Sequence, residues 1–470
     1  MTERSSFRWR TWIFLTVFIY TLLLGLFVQL VFLPHIAPSM HMGEGVLSSN
    51  HDTYTFHYYA KKLAEVIREN GWSNWEWRVG SSPVSSLTAI FYVFFGPHFW
   101  LMMPYNALVH ALSAVVLFDL FKSLLPKLSS RVCLIGTIPF VLFPSTLVWT
   151  TQLHKDGLFF LAVFMLFWVV VRMLRSDEYP LNRAYSIRLL GICWLGMFFI
   201  WWFREDRLVL FEIFLGLCLI PTLRNWVVSR TLNNSQRLAS VGLLVSMLLG
   251  GWLLMQYHVK PTITSKTRDA EEQAQIKEDN PQLEAWSRDK WQPVKWLPAK
   301  VDAKLAQLTE VRNNYFLIHH TGNSTIDPEQ SFTSAYDIIA YVPRMVQLSF
   351  FAPFPKDWLD KGSTTSLSVM KLIVSMETVL VYLSFIGMFY ILAKHWRNPT
   401  LWYLLFMTAV FIMIYTFVFP NLGTFYRQRF GFLSIITGLG FIGLAQLILR
   451  RREKRLTLGM TSSESALDSE

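Results

Sequence analysis

Runs of about twenty apolar residues, the length a helix needs to cross a hydrocarbon core, recur along this 470-residue chain. Trp12 to Leu33, Phe99 to Phe121, Val132 to Gln152 and Leu401 to Phe419 are the clearest. Inside a bilayer each such segment must satisfy its own backbone hydrogen bonds, which selects helices over open strands. Composition agrees: only 16% of residues are charged, against roughly a quarter in soluble domains, and 53% are hydrophobic. The expected fold is therefore an all-α polytopic membrane protein with about ten transmembrane helices and amphipathic helices on its outer face. Disordered, fibrous and disulfide-scaffold classes are excluded. Cys133, Cys193 and Cys218 all fall inside apolar runs and read as packing residues.

Spans are expected at about 12–33, 98–121, 132–152, 157–173, 188–203, 208–223, 239–257, 368–393, 400–419 and 430–450. Arg4, Arg8 and Arg10 precede the first, with no small-residue cleavage site after it, so it reads as an uncleaved anchor with a cytoplasmic N-terminus. The short connections on that side, with the N-terminus and the Arg450 to Arg455 run, then hold 20 Lys and Arg against four acids. This is the positive-inside pattern. The formal charge of +11 thus reflects sidedness in a lipid bilayer, and no nucleic-acid partner is expected.

The chain divides into a cytoplasmic N-terminus and first span (1–33), a first outer loop with amphipathic helices (34–97), a six-span core (98–257), a second outer loop (258–367), three C-terminal spans (368–450) and a cytoplasmic tail (451–470). The outer loops are near neutral, with 17 basic and 19 acidic residues. Two apolar stretches in them, Pro83 to Phe95 and the proline-interrupted Tyr336 to Pro355, read as re-entrant or surface-lying. The polar, Ser-rich tail from Thr457 reads as disordered.

Charges that do not belong to cytoplasmic loops collect on the outer face. Asp52 stands at the head of an amphipathic helix in which Phe56, Tyr59, Leu63, Val66 and Ile67 recur at helical spacing. An N-cap role suits it as well as catalysis does. Asp156, in His154-Lys155-Asp156-Gly157, occupies a tight turn and again reads either as a cap, neutralised by Lys155, or as a functional carboxylate. Arg204-Glu205-Asp206-Arg207 places four charges between apolar runs, where boundary charge is a functional hypothesis. Arg427 and Arg429, in a presumed outer turn between the last spans, defy the positive-inside preference. Two carboxylates and two arginine clusters on one face suit a phosphorylated lipid. Arginine forks bind phosphate oxygens, and a carboxylate removes a proton from an incoming hydroxyl.

This arrangement resembles the GT-C glycosyltransferases, polytopic enzymes that use polyprenyl-phosphate-linked sugars. In that family an acidic residue opens the first outer loop before a surface helix, matched here by Asp52, Tyr58 or Tyr59, Ala60 and Leu63. A second acid after the third span is matched by Asp156. Tyr341-Val342-Pro343-Arg344 through Pro355 is similar to the family's proline-interrupted stretch. Asn421-Leu422-Gly423-Thr424 with Arg427 and Arg429 is similar to a run in bacterial surface-polysaccharide members. The resemblance implies that Asp52 is the base or orients the acceptor, that Asp156 assists, and that Arg427, Arg429, Arg204 and Arg207 hold the donor phosphate. His51, His57, Lys155 and Arg344 are accessory candidates. The donor would be a polyprenyl-phosphate sugar and the acceptor a glycan, lipid or protein, at the periplasmic face of the inner membrane. His51-Asp52 departs from the family's acidic pair and leaves a divalent cation open, with His51 and His57 as contributors or simply as solvated histidines.

Two alternatives stand beside this reading. A repeat-unit polymerase or ligase acting on lipid-diphosphate glycans would also carry outward arginines. A transporter would instead show repeats and midplane charges, which the sequence lacks. Trp286, Trp291, Trp296 and His319-His320 in the second outer loop suit either sugar stacking or packing onto the membrane.

Overall fold

The computed structural model describes residues 3–47, 51–80, 82–176, 178–179, 181–228, 234–257, 291–319, 325–327, 330–359 and 365–467. These residues are almost entirely helical. Seven helices are long and apolar enough to cross a membrane: Phe7–Ile36, Phe99–Leu124, Asp156–Leu174, Gln236–Gln256, Lys371–Lys394, Pro399–Val418 and Leu422–Arg452. The chain is a multi-pass helical membrane protein.

The helices are α1 (Glu3–Phe27, continued as a π-helix over Val28–Ile36), α2 (His51–Asn70), α3 (Pro83–Phe95), α4 (Met103–Leu124), α5 (Ser130–Ile135), α6 (Ile138–Leu142), α7 (Ser145–Thr150) and α8 (Asp156–Leu174). Then come α9 (Arg183–Leu217), α10 (Leu219–Val228), α11 (Asn234–Gln256), α12 (Ala299–His319), α13 (Ala335–Phe351), α14 (Thr365–Lys394), α15 (Pro399–Val418) and α16 (Leu422–Leu467).

Three of the ten expected spans are not among these seven. The stretch 132–152 is broken into α5, α6 and α7. Pro139 lies in the first turn of α6 and Pro144 between α6 and α7, where a missing N–H and a bulky ring stop a helix from continuing. The segments 188–203 and 208–223 fall on α9 and α10, and α9 is interrupted at Arg204, whose φ of −146° and ψ of 57° are not helical. The chain reverses there. A Cβ placed on Gly251 of α11 would meet both Glu212 Oε1 and the Met197 methyl, which lie on opposite sides of Arg204 in sequence. The tail also differs from expectation, since α16 continues as helix to Leu467.

Aromatic side chains fill the centre. Phe411 of α15 stacks between Phe211 of α9 (ring centroids 4.7 Å) and Phe432 of α16 (5.0 Å). Helices α14 and α16 touch backbone to backbone: a Cβ on Gly387 would lie 1.9 Å from Gly440 O, so only glycine fits there. Outside the spans, α2 turns Phe56, Ala60, Leu63 and Ile67 inward and leaves Tyr54, Tyr58 and Val66 exposed, as an amphipathic helix should. It packs on α3. The proline-bearing stretch near 343 is the continuous helix α13, whose first turn is closed by Asp337 accepting from Ser334 N at 2.8 Å.

Candidate functional site

The site is organised around the turn that joins α7 to α8. Buried side-chain amides hold its backbone: Gln29 Nε2 donates to Thr151 O (2.7 Å), and Asn106 Nδ2 donates to Thr150 O (2.9 Å) and Gln152 O (3.0 Å). Gln152 in turn donates to Gly45 O (3.1 Å) and accepts from Leu47 N (3.1 Å), tying the segment before α2 to the same turn. Gly45 is required there, since its φ is +84° and a Cβ would stand 2.0 Å from Gln29 Oε1. Helix α2 is fixed to the turn by Thr53 Oγ1 donating to Leu153 O at 3.1 Å.

On this frame four chain segments converge. Asp156, the first residue of α8, is 1% exposed. Its Oδ1 accepts from Arg204 Nη2 at 2.7 Å, and its Oδ2 lies 3.0 Å from Arg427 Nε. Asp52, in the first turn of α2, accepts from Arg427 Nη2 at 2.9 Å and keeps 52% of its side chain exposed. Arg427 therefore bridges both carboxylates. Its contact with Asp156 lacks hydrogen-bond geometry, so Arg427 Nε and Asp156 Oδ2 remain buried without a hydrogen-bond partner among the described residues. Both aspartates lie in the first turn of a helix, but Lys155 holds the N-cap position of α8 and the two carboxylates meet arginines from distant segments.

The surrounding charges tune the cluster. Burial pushes the Asp52 carboxyl up, but Arg427 and Lys155 outweigh it and hold it below the usual aspartate range. Burial, reinforced by Arg204, brings the Lys155 ammonium down to about 8. His154 is lowered to about 4 by burial and by Arg427, so it is neutral at neutral pH. Asp52 and Asp156 thus face Arg204, Arg427 and Lys155, and Asp206 also acts on Arg204 and Lys155.

Not every expected residue joins it. Arg207 lies one layer away, with its guanidinium 4.8 Å from the centroids of both the Tyr415 and Phe419 rings and Nη2 donating to Gln428 Oε1 at 3.3 Å. Arg429 points elsewhere. It is 1% exposed and donates to the carbonyls of Leu348 (3.1 Å), Ser349 (2.7 Å) and Ala352, the C-terminus of α13. Arg344 pairs with Asp327 through two contacts of 2.8 and 2.9 Å. His57 has both ring nitrogens engaged, Nδ1 with Tyr92 Oη (2.7 Å) and Nε2 with Glu44 Oε2 (2.9 Å), so it does not face the aspartates as a metal ligand. His51 begins α2. Among the described residues no group of three or more His, Cys, Asp or Glu is placed to hold a metal ion. Trp286 and His320 lie outside the described residues.

Sequence reasoning missed the supporting residues. Gln29 and Asn106 could have been found as amides inside apolar runs, where an unpaired polar group is costly. Arg78 had no such signal. It docks the connection between α2 and α3 onto the break in α9 by donating to Trp202 O (3.0 Å) and Trp201 O, and it pairs with Glu205. These are carbonyls that a broken helix leaves without intrahelical donors. Comparison with protein-family models and with curated proteins finds no match to this chain.

Proposed function

We propose that the protein is a GT-C-like glycosyltransferase that transfers a sugar from a polyprenyl-phosphate donor to a glycan, lipid or protein acceptor on the outer, periplasmic face of the inner membrane. The observation that carries this reading is Arg427 bridging Asp52 and Asp156, with Arg204 on the second oxygen of Asp156. The roles then divide by environment. Asp156, buried between two guanidiniums, positions them. Asp52, half exposed, is the group an acceptor hydroxyl can reach.

The cations of the cluster suit the phosphate of the donor, since guanidinium groups bind phosphate oxygens through charge-assisted hydrogen bonds. When the phosphate engages Arg427, that guanidinium is shared and Asp52 becomes more basic. The acceptor oxygen then attacks the anomeric carbon as its proton passes to Asp52. The bond from sugar carbon to phosphate oxygen breaks, and polyprenyl phosphate leaves with the electron pair. Arg204, Arg427 and Lys155 face the charge that develops on it.

The test is release of polyprenyl phosphate from a synthetic polyprenyl-phosphate sugar by the purified protein in lipid nanodiscs, supplied with membrane extract as acceptor. Asp52→Asn should lower turnover by about 10²–10⁴-fold while leaving the thermal midpoint unchanged. Full transfer by the Asn variant would remove Asp52 from the base role. Transfer from a diphosphate donor but not from the monophosphate would move the reading to a polymerase or ligase.

A further inference from the structure

Helices α4, α8 and α14 end together, at Leu124, Leu174 and Lys394, where α15 begins at Pro399. Their ends line a cavity of about 520 Å³. It lies at the far end of α8 from the aspartate–arginine cluster. The 19 residues of α8 separate Asp156 from Leu174, a rise of about 28 Å and close to the thickness of a hydrocarbon core. The cavity is thus at the opposite membrane boundary. Trp396 and Trp402 beside it are 61% and 47% exposed, which suits the headgroup level where tryptophans concentrate.

Its walls are cationic. Lys127, Arg175, Lys394 and Arg397 line it, against the single acid Glu178 among the described residues. Some of this charge has structural duties. Arg175 donates to Leu124 O and pairs with Glu178, and Lys394 donates to Gln446 Oε1 at 2.8 Å. Those duties do not consume the excess. His395 Nε2 is buried in the wall with no hydrogen-bond partner among the described residues. Burial, and then the neighbouring Lys394, Arg175 and Lys127, hold His395 below the ordinary histidine range, so its ring is neutral. His395 thus adds no charge of its own, and the four cations around one hollow favour an anion's oxygens as charge-assisted acceptors.

We propose that this cavity binds the phosphate headgroup of an anionic phospholipid from the leaflet opposite the candidate catalytic site. A lipid is favoured over free phosphate because exposed tryptophans flank the cavity at headgroup depth and offer apolar surface to acyl chains. The site is independent of the sugar-transfer reading.

The experiment uses the full-length protein, delipidated in neutral detergent. Lipid adducts are counted by native mass spectrometry, with the thermal midpoint as a second readout. The probes are phosphatidylglycerol, phosphatidylcholine and inorganic phosphate. Phosphatidylglycerol should bind at least tenfold more tightly than phosphatidylcholine and raise the midpoint, and inorganic phosphate should do neither. Lys127→Gln with Arg397→Gln should weaken phosphatidylglycerol binding by more than tenfold, since each surface cation contributes about fivefold. Lys127→Gln alone, at an exposed position, keeps the test open if the pair lowers the yield, with about a fivefold loss expected. Equal adduct formation by the two lipids, equal stabilisation by inorganic phosphate, or undiminished binding in the variants would each overturn the proposal.

Discussion

Arg427 and Arg429 show how far single residues could be read. That they carry a role was legible, because the expected topology puts them outside, where basic residues need a reason. Their division of labour was not. The segment was expected as a turn, but α16 already begins at Leu422, and residues two apart on a helix point to nearly opposite sides. Arg427 consequently reaches Asp52 and Asp156, while Arg429 reaches the end of α13. Lysine substitution should separate the two. Arg427→Lys keeps the charge but loses the fork, so turnover or donor affinity should fall at least tenfold with the thermal midpoint held. Arg429→Lys cannot serve three carbonyls in one plane, and each bond lost to a charged donor costs about 1.5–3 kcal/mol. It should lower the midpoint by several degrees while the folded fraction keeps the normal donor KM. The opposite pattern would exchange their roles. A second residue-level expectation concerns His154, held at about 4 in the fold against about 6.5 when unfolded. Below pH 6.5 the unfolded chain binds the proton and the folded one does not, so stability falls as pH drops from about 6.5 towards 4, by roughly 3 kcal/mol in all. Midpoints measured across that range should show a shallower slope in His154→Asn. An unchanged slope would assign acid sensitivity to other groups.

At the scale of elements, length and hydropathy located the long helices but not their interruptions. The run 132–152 is apolar enough to cross, and its breaks at Gly136-Thr137 and Phe143-Pro144 come from local chemistry that a hydropathy average hides. The reversal at Arg204 was visible because four charges in a row cannot continue through a bilayer. What holds the α7–α8 turn was only half legible: Gln29 and Asn106 stand out as amides in apolar runs, but that they meet Gly45 at one turn follows only from the fold, since the segments are far apart in sequence. Gly45→Ala tests that frame. The methyl group must occupy a left-handed conformation and displace the Gln29 amide, a combined strain of about 1–3 kcal/mol. The expected outcome is a lowered midpoint together with a donor KM raised several-fold, because Thr151 and Gln152 carry the strand of chain that leads to Asp156. If the midpoint falls and the KM stays normal, the amide frame is structural only and does not set the position of the aspartates.

For the whole molecule, the two polar constellations stand at opposite ends of the same helices. Asp156 opens α8, and Arg427 lies in the second turn of α16. Leu174 closes α8 at the basic cavity, and Gln446, further along α16, receives Lys394 there. From Arg427 to Gln446 along α16 the rise is again about 28 Å, so two helices independently set the same separation. The sequence made this legible through charge alone: the short basic connections 122–131, 172–188 and 394–397 were expected on one side, and parts of all three line one cavity. Substituted cysteines decide the sidedness. Ser73 in the first outer loop and Lys127 at the cavity are both exposed, while the native Cys133, Cys193 and Cys218 are buried and should stay silent. In intact cells a membrane-impermeant maleimide should label Ser73→Cys, and Lys127→Cys should react only after permeabilisation. Reversed labelling would place the aspartate–arginine cluster in the cytosol, where the proposed lipid-linked donor would have to be presented from the inner leaflet. Labelling of both positions from one side would mean that α4, which connects the two loops, does not cross. Helix length, apolar composition and the positive-inside distribution together predict the first outcome.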